Sequence, residues 1–270
     1  MNFTLKIMGT ASAMPISDRN PSAQVLEVQG RFFLIDCGEG TQQQLRRAHV
    51  SFVKIEAIFI THIHGDHLFG LFGLLSSMAM YGKSGKLYIY GPEALGSVLK
   101  FYQSFFGEGM NFEIVFTAVK TKELQLIHTS KWVQVSAFPL NHKIECYGYR
   151  FDEILTERRK AAIEAGEAPA AKSYAYCSDT APLPQLSTWV KGVDVLYHEA
   201  TYQHEMADKA AFRYHSTTVQ AAQCARDAEV DRLIVAHYSS RITDFEAYLN
   251  ECKEVFPNCV AAQDGDVFEI

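Results

Sequence analysis

Short apolar runs alternate along this chain with longer amphipathic segments, which predicts strands separated by helices. Phe3–Met8 alternates apolar and polar residues and predicts a first strand. Gln24–Val28 and Arg31–Ile35 flank Gln29-Gly30 and predict a hairpin. The run Ile55–Ile60 contains no Gly or Pro and predicts a buried strand. Further strands are predicted over Leu87–Tyr90, Phe112–Val119, Trp132–Pro139, Ser173–Cys177, Val193–Tyr197, Arg232–Ala236 and Val267–Ile270.

The longer segments between these runs predict helices. Leu68–Tyr81 is strongly apolar, and its length favours a helix packed on a sheet over another strand. A second helix is predicted from Gly91-Pro92-Glu93 to about Phe106, with proline in its first turn. Others are predicted over Thr41–Val50, Thr217–Ala228 and Asp244–Val255. Two strand-rich halves with helices on one side of each predict an α/β protein, a four-layer αββα sandwich that forms one domain over residues 1–270.

Several of the predicted strands end next to a polar residue that could bind a metal or take part in catalysis. His142 follows Trp132–Pro139, Asp179 follows Ser173–Cys177, and His237 follows Arg232–Ala236. Sheets of α/β proteins place their sites at the carboxyl ends of strands. We therefore expect these side chains to meet at one edge of the sandwich.

The densest polar cluster, residues 61–67, follows the strand Ile55–Ile60 directly and reads Thr-His-Ile-His-Gly-Asp-His. Neutral imidazole and carboxylate are the usual ligands of Zn²⁺ and similar divalent ions. The alternative is a set of adjacent core or solvated histidines. Burying unpaired polar side chains at a strand end is costly, and a metal would satisfy them. We therefore interpret the cluster as a metal site.

The nitrogen and oxygen ligands predict two metal ions and include no cysteine. Three histidines are assigned to the first ion: His62, His64 and His142. Three side chains are assigned to the second: Asp66, His67 and His237. Asp179 is expected to bridge them. This donor set suits Zn²⁺ first, with Mn²⁺ or Fe²⁺ as alternatives. Two such ions would activate water and hold a phosphodiester oxygen, which indicates hydrolysis with Asp66 as general base.

Hydrolysis also needs an acid for the leaving oxygen. His215 lies just before a predicted helix capped by Ser216 or Thr217, where helix-end amides favour phosphate. Glu199 is expected to orient that imidazole; the alternative is a structural histidine. Arg241, with Ser239, is the predicted contact to the substrate phosphate, and the alternative is a surface arginine. Asp36 is expected to support a ligand histidine. Four other histidines are left as structural or exposed: His49, His128, His198 and His204.

Composition limits the remaining choices. Apolar residues make up 48% of the chain and charged residues 21%, as in ordinary globular proteins. No apolar run is long enough to cross a bilayer, so we expect no membrane partner. Six scattered cysteines without a C-x-x-C pair suggest a reduced, cytoplasmic protein. The net charge of −6 argues against nonspecific coating of nucleic acid, although basic residues cluster at Arg46-Arg47, Lys83/Lys86 and Arg158-Arg159-Lys160.

The pattern His62-x-His64-x-Asp66-His67, followed by His142, Asp179 and His237, resembles the metallo-β-lactamase superfamily. Four further segments narrow the resemblance to ribonuclease Z, the endonuclease that removes 3′ trailers from precursor tRNA: residues 9–15 with 19–20, residues 36–41, residues 198–201 with 215–217, and residues 237–241. The resemblance covers nearly the whole chain. It implies two zinc ions, Asp66 as base, His215 assisting at the scissile phosphate, and a homodimer that binds precursor tRNA. It also implies that Arg19 and Asn20 belong to the loop that senses the tRNA 3′ end.

The chain departs from that family pattern at two places. The interval Asp152–Lys172 is short where family members carry a long arm that grips the tRNA elbow. Ser17 stands where many members carry lysine. The first hypothesis is therefore a binuclear zinc phosphodiesterase that processes precursor tRNA. The alternative is the same chemistry on small phosphodiesters or other RNAs. The complete ligand set disfavours a noncatalytic RNA-binding subunit, and the phosphate-binding segments disfavour a lactamase or thioesterase.

Overall fold

Two seven-stranded mixed sheets form the centre of the computed structural model, which describes residues 3–270. Met1 and Asn2, the first residues of the predicted domain, lie outside the described residues. The first sheet contains, in spatial order, β14 (Val267–Glu269), β1 (Phe3–Gly9), β2 (Ala23–Val28), β3 (Arg31–Ile35), β4 (Ile55–Phe59), β5 (Gly85–Gly91) and β6 (Phe112–Ala118). The second contains β13 (Cys259–Ala261), β12 (Arg232–Ala236), β11 (Val195–Glu199), β10 (Ser173–Cys177), β9 (Tyr147–Glu153), β8 (Val133–Pro139) and β7 (Gln125–Thr129).

The two sheets have the same plan. Strands β14 to β3 pair antiparallel and β3 to β6 pair parallel. In the second sheet β7 to β10 pair antiparallel and β10 to β13 pair parallel. Parallel neighbours end at the same edge of a sheet. The loops that follow β4, β10, β11 and β12 therefore gather at one end of the sandwich.

Apolar side chains fill the space between the sheets and the space under the helices. Phe59 of the first sheet contacts Tyr149 and Phe151 of the second, with both pairs of ring centroids 5.3 Å apart. On the outer face of the first sheet, a second core joins Leu34 and Ile58 to the helices. Each fully buried leucine or isoleucine there contributes about 1.5–3 kcal/mol to stability.

Helices cover both outer faces. The first sheet is covered by α1 (Thr41–Arg47), α2 (Gly65–Leu68), α3 (Leu71–Met80) and α4 (Glu93–Phe106). Along the second half lie α5 (Glu157–Glu164), α6 (Leu186–Trp189), α7 (Ala207–Arg213), α8 (Thr218–Asp227) and α9 (Phe245–Val255), with short 3₁₀ helices at Phe52–Lys54 and His204–Met206. The predicted αββα sandwich is confirmed. Within residues 3–270, the helices are all too short or too polar to span a membrane.

The helix predicted over Leu68–Tyr81 is wrong at its start, because α3 begins only at Leu71 and Leu68 ends the separate turn α2. The backbone amide of Cys37 donates to the His67 carbonyl at 2.8 Å, and the amide of Gly70 donates to the Cys37 carbonyl at 2.9 Å. A Cβ atom on Gly70 would lie 2.0 Å from the Gly38 carbonyl oxygen. The loop after β3 therefore sits where a continuous helix would place its backbone, and α2 becomes a separate turn that carries two candidate ligands.

Other boundaries differ where the sequence signal is weak. The strand predicted over Val193–Tyr197 is β11, which begins at Val195 and extends to Glu199. The elements β7, β13 and α7 were not predicted, since they are short or lack a clear period. β9 was not predicted either, because Gly148 and three charged residues interrupt its apolar pattern.

The short segment Asp152–Lys172 is fixed to the body of the protein. Arg159 on α5 is buried, and its Nη1 donates to Glu153 Oε1 at 2.8 Å. The other oxygen of Glu153 accepts from the amide of Lys172 at 3.1 Å. This segment joins the end of β9 to the start of β10, whereas the candidate site follows the far end of β10, roughly 15–20 Å along the strand. Arg159 is therefore occupied by an ion pair, while Arg158 and Lys160 are exposed.

We expect Arg159→Ala to loosen the segment 154–172 without unfolding the sandwich. Alanine keeps helix propensity, so the change removes the ion pair and leaves the Glu153 carboxylate without that partner, at a local cost of about 1–3 kcal/mol. Limited proteolysis with mass spectrometry should show faster cleavage within this segment than in the wild type. Arg158→Ala, on the exposed neighbour, is the matched control. Equal protection of both variants would contradict the anchoring role of Arg159.

Candidate metal centre

The candidate ligands meet at the seam between the two sheets. His62 and His64 follow β4, His142 follows β8, Asp179 follows β10, and His237 follows β12. Short α2 adds Asp66 and His67. The structure thus brings together all seven side chains to which the sequence analysis assigned metal binding, from segments that span most of the chain.

A first cluster of potential ligand atoms is formed by three imidazoles and one carboxylate. His64 Nδ1 lies 3.0 Å from His62 Nε2 and 3.3 Å from His142 Nε2. Asp179 Oδ2 lies 3.8 Å from His62 Nε2 and 3.9 Å from His142 Nε2. A tetrahedral zinc ion with Zn–N bonds of about 2.0–2.1 Å would separate its ligand nitrogens by about 3.3 Å. The spacing of this cluster fits such an ion.

A second cluster adjoins the first. Asp66 Oδ2 lies 3.6 Å from both His67 Nε2 and His237 Nε2. Asp179 Oδ1 lies 3.5 Å from His67 Nε2 and 3.2 Å from His237 Nε2. Asp179 therefore directs one oxygen to each cluster, which is the arrangement that a bridging ligand requires.

The free ring nitrogens of the second cluster show that these residues fit a metal. Nε2 of His67 and Nε2 of His237 are buried and have no hydrogen-bond partner. Their Nδ1 atoms are held, His67 by Asp36 at 2.7 Å and His237 by the Thr201 hydroxyl at 2.9 Å. A buried nitrogen without a partner is unfavourable unless an ion occupies its lone pair. The anchored Nδ1 and open Nε2 are typical of metal-ligating histidine.

Charge in the centre also favours cations. Burial opposes protonation of His67, but the carboxylates of Asp36, Asp179 and Asp66 raise its pKa to about 10. Burial opposes ionisation of Asp66, yet His67 and His237 lower its pKa well below the usual range. Positive charge at the His67 ring nitrogens is thus stabilised, and a divalent ion at Nε2 would supply it in place of a proton.

A layer of hydrogen bonds fixes these ligands. Asp36 Oδ1 accepts from the amide of Thr61 at 2.8 Å and from its hydroxyl at 2.9 Å. Asp36 Oδ2 accepts from His67 Nδ1 and, at 3.0 Å, from the Tyr176 hydroxyl. The Thr61 hydroxyl also accepts from His62 Nδ1 at 2.9 Å. Asp36 thus contacts a candidate ligand histidine directly and reaches a second one through Thr61.

His215 lies beside this centre and is paired with a buried carboxylate. Its Nδ1 donates to Glu199 Oε1 at 2.8 Å and lies 3.9 Å from Asp179 Oδ2. Burial opposes protonation of His215, but Glu199 and Asp179 raise its pKa to about 9. The helix α8 begins directly afterwards, and Thr217 caps it by accepting from the amide of Gln220. A cationic imidazole is therefore held at the edge of the metal centre.

The remaining histidines take no part in the two clusters. His128 and His198 are buried, and their Nδ1 atoms bond to the Tyr90 hydroxyl and the Glu199 carbonyl respectively. His49 and His204 are exposed.

The loop after β1 reaches the centre through its backbone. The amide of Ala13 donates to Asp66 Oδ2 at 2.7 Å. Arg19 lies against the rings of Tyr238 and Phe245, 5.7 and 5.1 Å from their centroids. It does not line the cavity that opens above the metal centre. Asn20 also lies outside that cavity and donates from its amide and side chain to Asp264, at 2.7 and 2.9 Å. The structure therefore gives these two residues contacts inside the protein. Asp264, which sequence reasoning missed, is the residue that holds this loop.

The cavity above the metal centre has a volume of about 950 Å³. Ser239 and Arg241 line it, as expected for a contact to substrate. Three further cations also line it: Lys143, Lys209 and Arg213. Sequence reasoning missed these three. Lys209 and Arg213 reach the site only through the packing of α7. Lys143 directly follows His142, and that position was the one available signal.

Comparisons with known proteins agree with this geometry. Residues 31–238 match a family model described as a β-lactamase superfamily domain. A ribonuclease Z from Parabacteroides distasonis is 35% identical over 98% of both chains, and one from Cytophaga hutchinsonii is 37% identical over 100% of this chain and 97% of its own. The chain belongs to the ribonuclease Z family. The crystal structure of the short form of human tRNase Z superposes with a TM-score of 0.81 at 26% identity and covers 99% of both chains.

The alignment with the Parabacteroides distasonis ribonuclease Z spans 297 positions, more than the 270 residues of this chain. That member of the ribonuclease Z family therefore carries residues that this chain lacks.

We expect Asp36→Asn to weaken zinc binding by about 10–100-fold, because His67 loses the carboxylate that fixes its ring. Isothermal titration calorimetry with Zn²⁺ on the metal-free protein measures this directly, and a melting curve shows whether the variant is folded. Tyr176→Phe removes only one hydrogen bond to Asp36 and should have a smaller effect. Wild-type affinity in folded Asp36→Asn would contradict the supporting role of Asp36.

Proposed function

We propose that this chain is a metal-dependent endoribonuclease that removes 3′ trailers from precursor tRNA. The observation that carries the proposal is the pair of adjoining clusters that share Asp179, with the His215–Glu199 pair beside them. The first cluster comprises His62, His64 and His142. The second comprises Asp66, His67 and His237.

The metal is proposed to be zinc, with two ions per chain. The donor atoms are imidazole nitrogen and carboxylate oxygen, which suit Zn²⁺ and also allow Mn²⁺ or Fe²⁺. When bound, such ions provide Lewis acidity and lower the pKa of water at the scissile phosphate. All six cysteines are free thiols, in keeping with a cytoplasmic location.

Asp66 and His215 are proposed to carry out the two proton transfers of the reaction. Asp66 stays ionised at neutral pH and is proposed to accept the proton of the attacking water. His215, kept cationic by Glu199, is proposed to donate a proton to the leaving 3′ oxygen of the tRNA. The bond between phosphorus and that oxygen breaks, so the tRNA retains a 3′-hydroxyl and the trailer carries the phosphate. Arg241, with Ser239, is proposed to contact the phosphate.

The loop of residues 9–20 is proposed to shape the entrance for the tRNA 3′ end. Arg19 and Asn20 contribute by holding its fold, through the aromatic rings and Asp264 described above. The exposed part of the loop, around Met14, is the part that faces the cavity.

The cleavage test uses zinc-loaded protein on a 3′-extended precursor tRNA and, in parallel, on a small chromogenic phosphodiester. We expect accurate cutting that leaves a 3′-hydroxyl. His215→Ala should lower kcat by about 10²–10⁴-fold, as expected for loss of a general acid. Asp66→Ala should abolish turnover, since it removes both a ligand and the base.

Turnover of the small ester without cleavage of the precursor would favour the second candidate, a phosphodiesterase for small substrates or other RNAs. The short segment fixed by Arg159 is the observation that favours this alternative, because it lies at the start of β10 and does not reach the metal centre at the far end of that strand. Failure of both reactions in fully metallated wild type would contradict the enzyme proposal.

The protein is further proposed to form a homodimer through an apolar patch on α3 and α4. The patch consists of Phe101, Phe105 and Phe106 on α4 with Met80 at the end of α3, each more than half exposed, and the rings of Phe101 and Phe105 lie 4.8 Å apart. Exposed aromatic residues in a contiguous group are typical of protein interfaces. A groove of about 280 Å³ runs beside them between the two helices.

We expect Phe105→Glu to convert the dimer to a monomer, because the charge would be buried at the interface. Light scattering coupled to size-exclusion chromatography measures the mass. Leu126→Glu places the same charge at another exposed apolar position and should leave the dimer intact. A monomeric wild type, or a dimer that persists in Phe105→Glu, would contradict this interface.

A further inference from the structure

Each half of the sandwich contributes one wall of the cavity above the metal centre. The first half supplies the loop Ser12–Pro15 and Phe69. The second half supplies four cations: Lys143, Lys209, Arg213 and Arg241. The metal centre lies at the seam, so a substrate bound to it contacts both walls.

The cationic wall is joined to the metal centre by a hydrogen bond. His142 Nδ1 donates to the carbonyl of Tyr214 at 3.0 Å, which fixes the end of α7 beside a candidate ligand. Lys209 and Arg213 lie one helical turn apart on α7 and therefore share a face. Lys143 Nζ and Arg213 Cζ each lie 5.7 Å from the centroid of the Phe212 ring. These contacts gather the cations at one side of the cavity.

The four cations are available to an anion. Across residues 3–270, none of them has a carboxylate within 4.0 Å, whereas Lys6, Arg150 and Arg159 each form an ion pair. The chain as a whole has a net charge of −6. Four unpaired cations around one cavity of an acidic protein therefore mark a local site for negative charge.

The opposite wall has a different character. Met14 and Phe69 are 60% and 65% exposed, and Pro15 also lines this side of the cavity. Besides the candidate ligand Asp66, this side of the cavity carries the charged residue Glu39. The Phe69 ring packs on Gly65, where a Cβ atom would lie only 2.4 Å from it. This contact holds an exposed aromatic face toward the cavity, as in proteins that stack nucleic acid bases.

We infer that these two walls orient a single RNA strand, with its phosphates along the cationic wall and its bases against Met14 and Phe69. The inference rests on the proposed function, because it assigns the residues that hold the polynucleotide on either side of the scissile phosphate. A small phosphodiester has one phosphate, which would bind at the metal centre. It therefore has no further phosphate that could contact the cationic wall. The two walls thus favour RNA over small esters, and this preference does not require an extended arm.

The first test replaces Lys143, Lys209 and Arg213 together by glutamine and compares kcat and KM for a 3′-extended precursor tRNA over a range of salt. We expect KM to rise at least about tenfold, and the salt slope of log kcat/KM to fall by about 2, for three lost phosphate contacts. Turnover of a small chromogenic phosphodiester should stay within twofold of wild type. The matched control replaces three exposed lysines remote from the cavity, Lys86, Lys122 and Lys253.

If the two triple variants show the same KM and the same salt slope for the precursor tRNA, the proposed role of the cationic wall would be overturned. An equal loss on the small ester would overturn it as well, since the residues would then act on the metal centre.

The second test addresses the wall formed by Met14 and Phe69, called the base wall here. It combines Met14→Ala with Phe69→Ala. Wild type should cleave a precursor with abasic nucleotides around the cut site at least about fivefold more slowly than the normal precursor, by loss of base stacking. The double variant should show no such difference. Phe69→Tyr keeps the ring and should behave as wild type. A double variant that still distinguishes the abasic substrate would overturn the base wall.

A binding measurement distinguishes failure of the proposed function from failure of the cationic wall. If wild type leaves the precursor uncut, fluorescence anisotropy with a labelled single-stranded RNA gives Kd for wild type and both triple variants. A tenfold loss confined to the Lys143, Lys209 and Arg213 variant would support the wall while the processing function fails. Equal affinities of all three proteins would overturn the wall.

Discussion

Asp36 lies between the two sheets with no exposed surface, and its carboxylate accepts from four donor groups. An ionised carboxylate at such a position is tolerated only when hydrogen bonds replace its water. Two donors belong to Thr61 at the end of β4, one is His67 on α2, and one is Tyr176 of the opposite sheet. One buried charge therefore connects the two sheets and fixes a candidate ligand, and the position of the metal centre depends on it.

The second half of the chain repeats this device with different residues. Glu199 holds His215 directly, and the Thr201 hydroxyl donates to Glu199 while it accepts from His237. Asp36 likewise holds His67 directly, and it reaches His62 through Thr61. Each sheet thus ends in an acid–threonine pair that orients two imidazoles. The difference lies in what each pair orients: two candidate ligands in the first half, and one candidate ligand with the proposed acid in the second.

Much of this site could be predicted from the sequence because its residues follow strands directly. The run Ile55–Ile60 and the cluster after it are local in sequence, and the same holds for Asp179 and His237. The cationic wall could not be predicted in this way. Lys209 and Arg213 lie on α7, a helix that the sequence pattern did not predict, and the bond between His142 and Tyr214 fixes where that helix lies. The break at Gly70 was missed for a similar reason, since it depends on a distant loop at Gly38.

The short segment around α5 lies away from the metal centre, so the grip on a long substrate must come from other parts of the protein. Arg159 is paired with Glu153, and the segment lies at the edge of the sheet opposite the metal centre, so it offers the site little. Affinity for a long polyanion must then come from surfaces near the cavity or from a second copy. Four unpaired cations beside the centre provide a sequence-independent attraction, which weakens as salt increases. A protein built this way would hold RNA by its backbone near the cut.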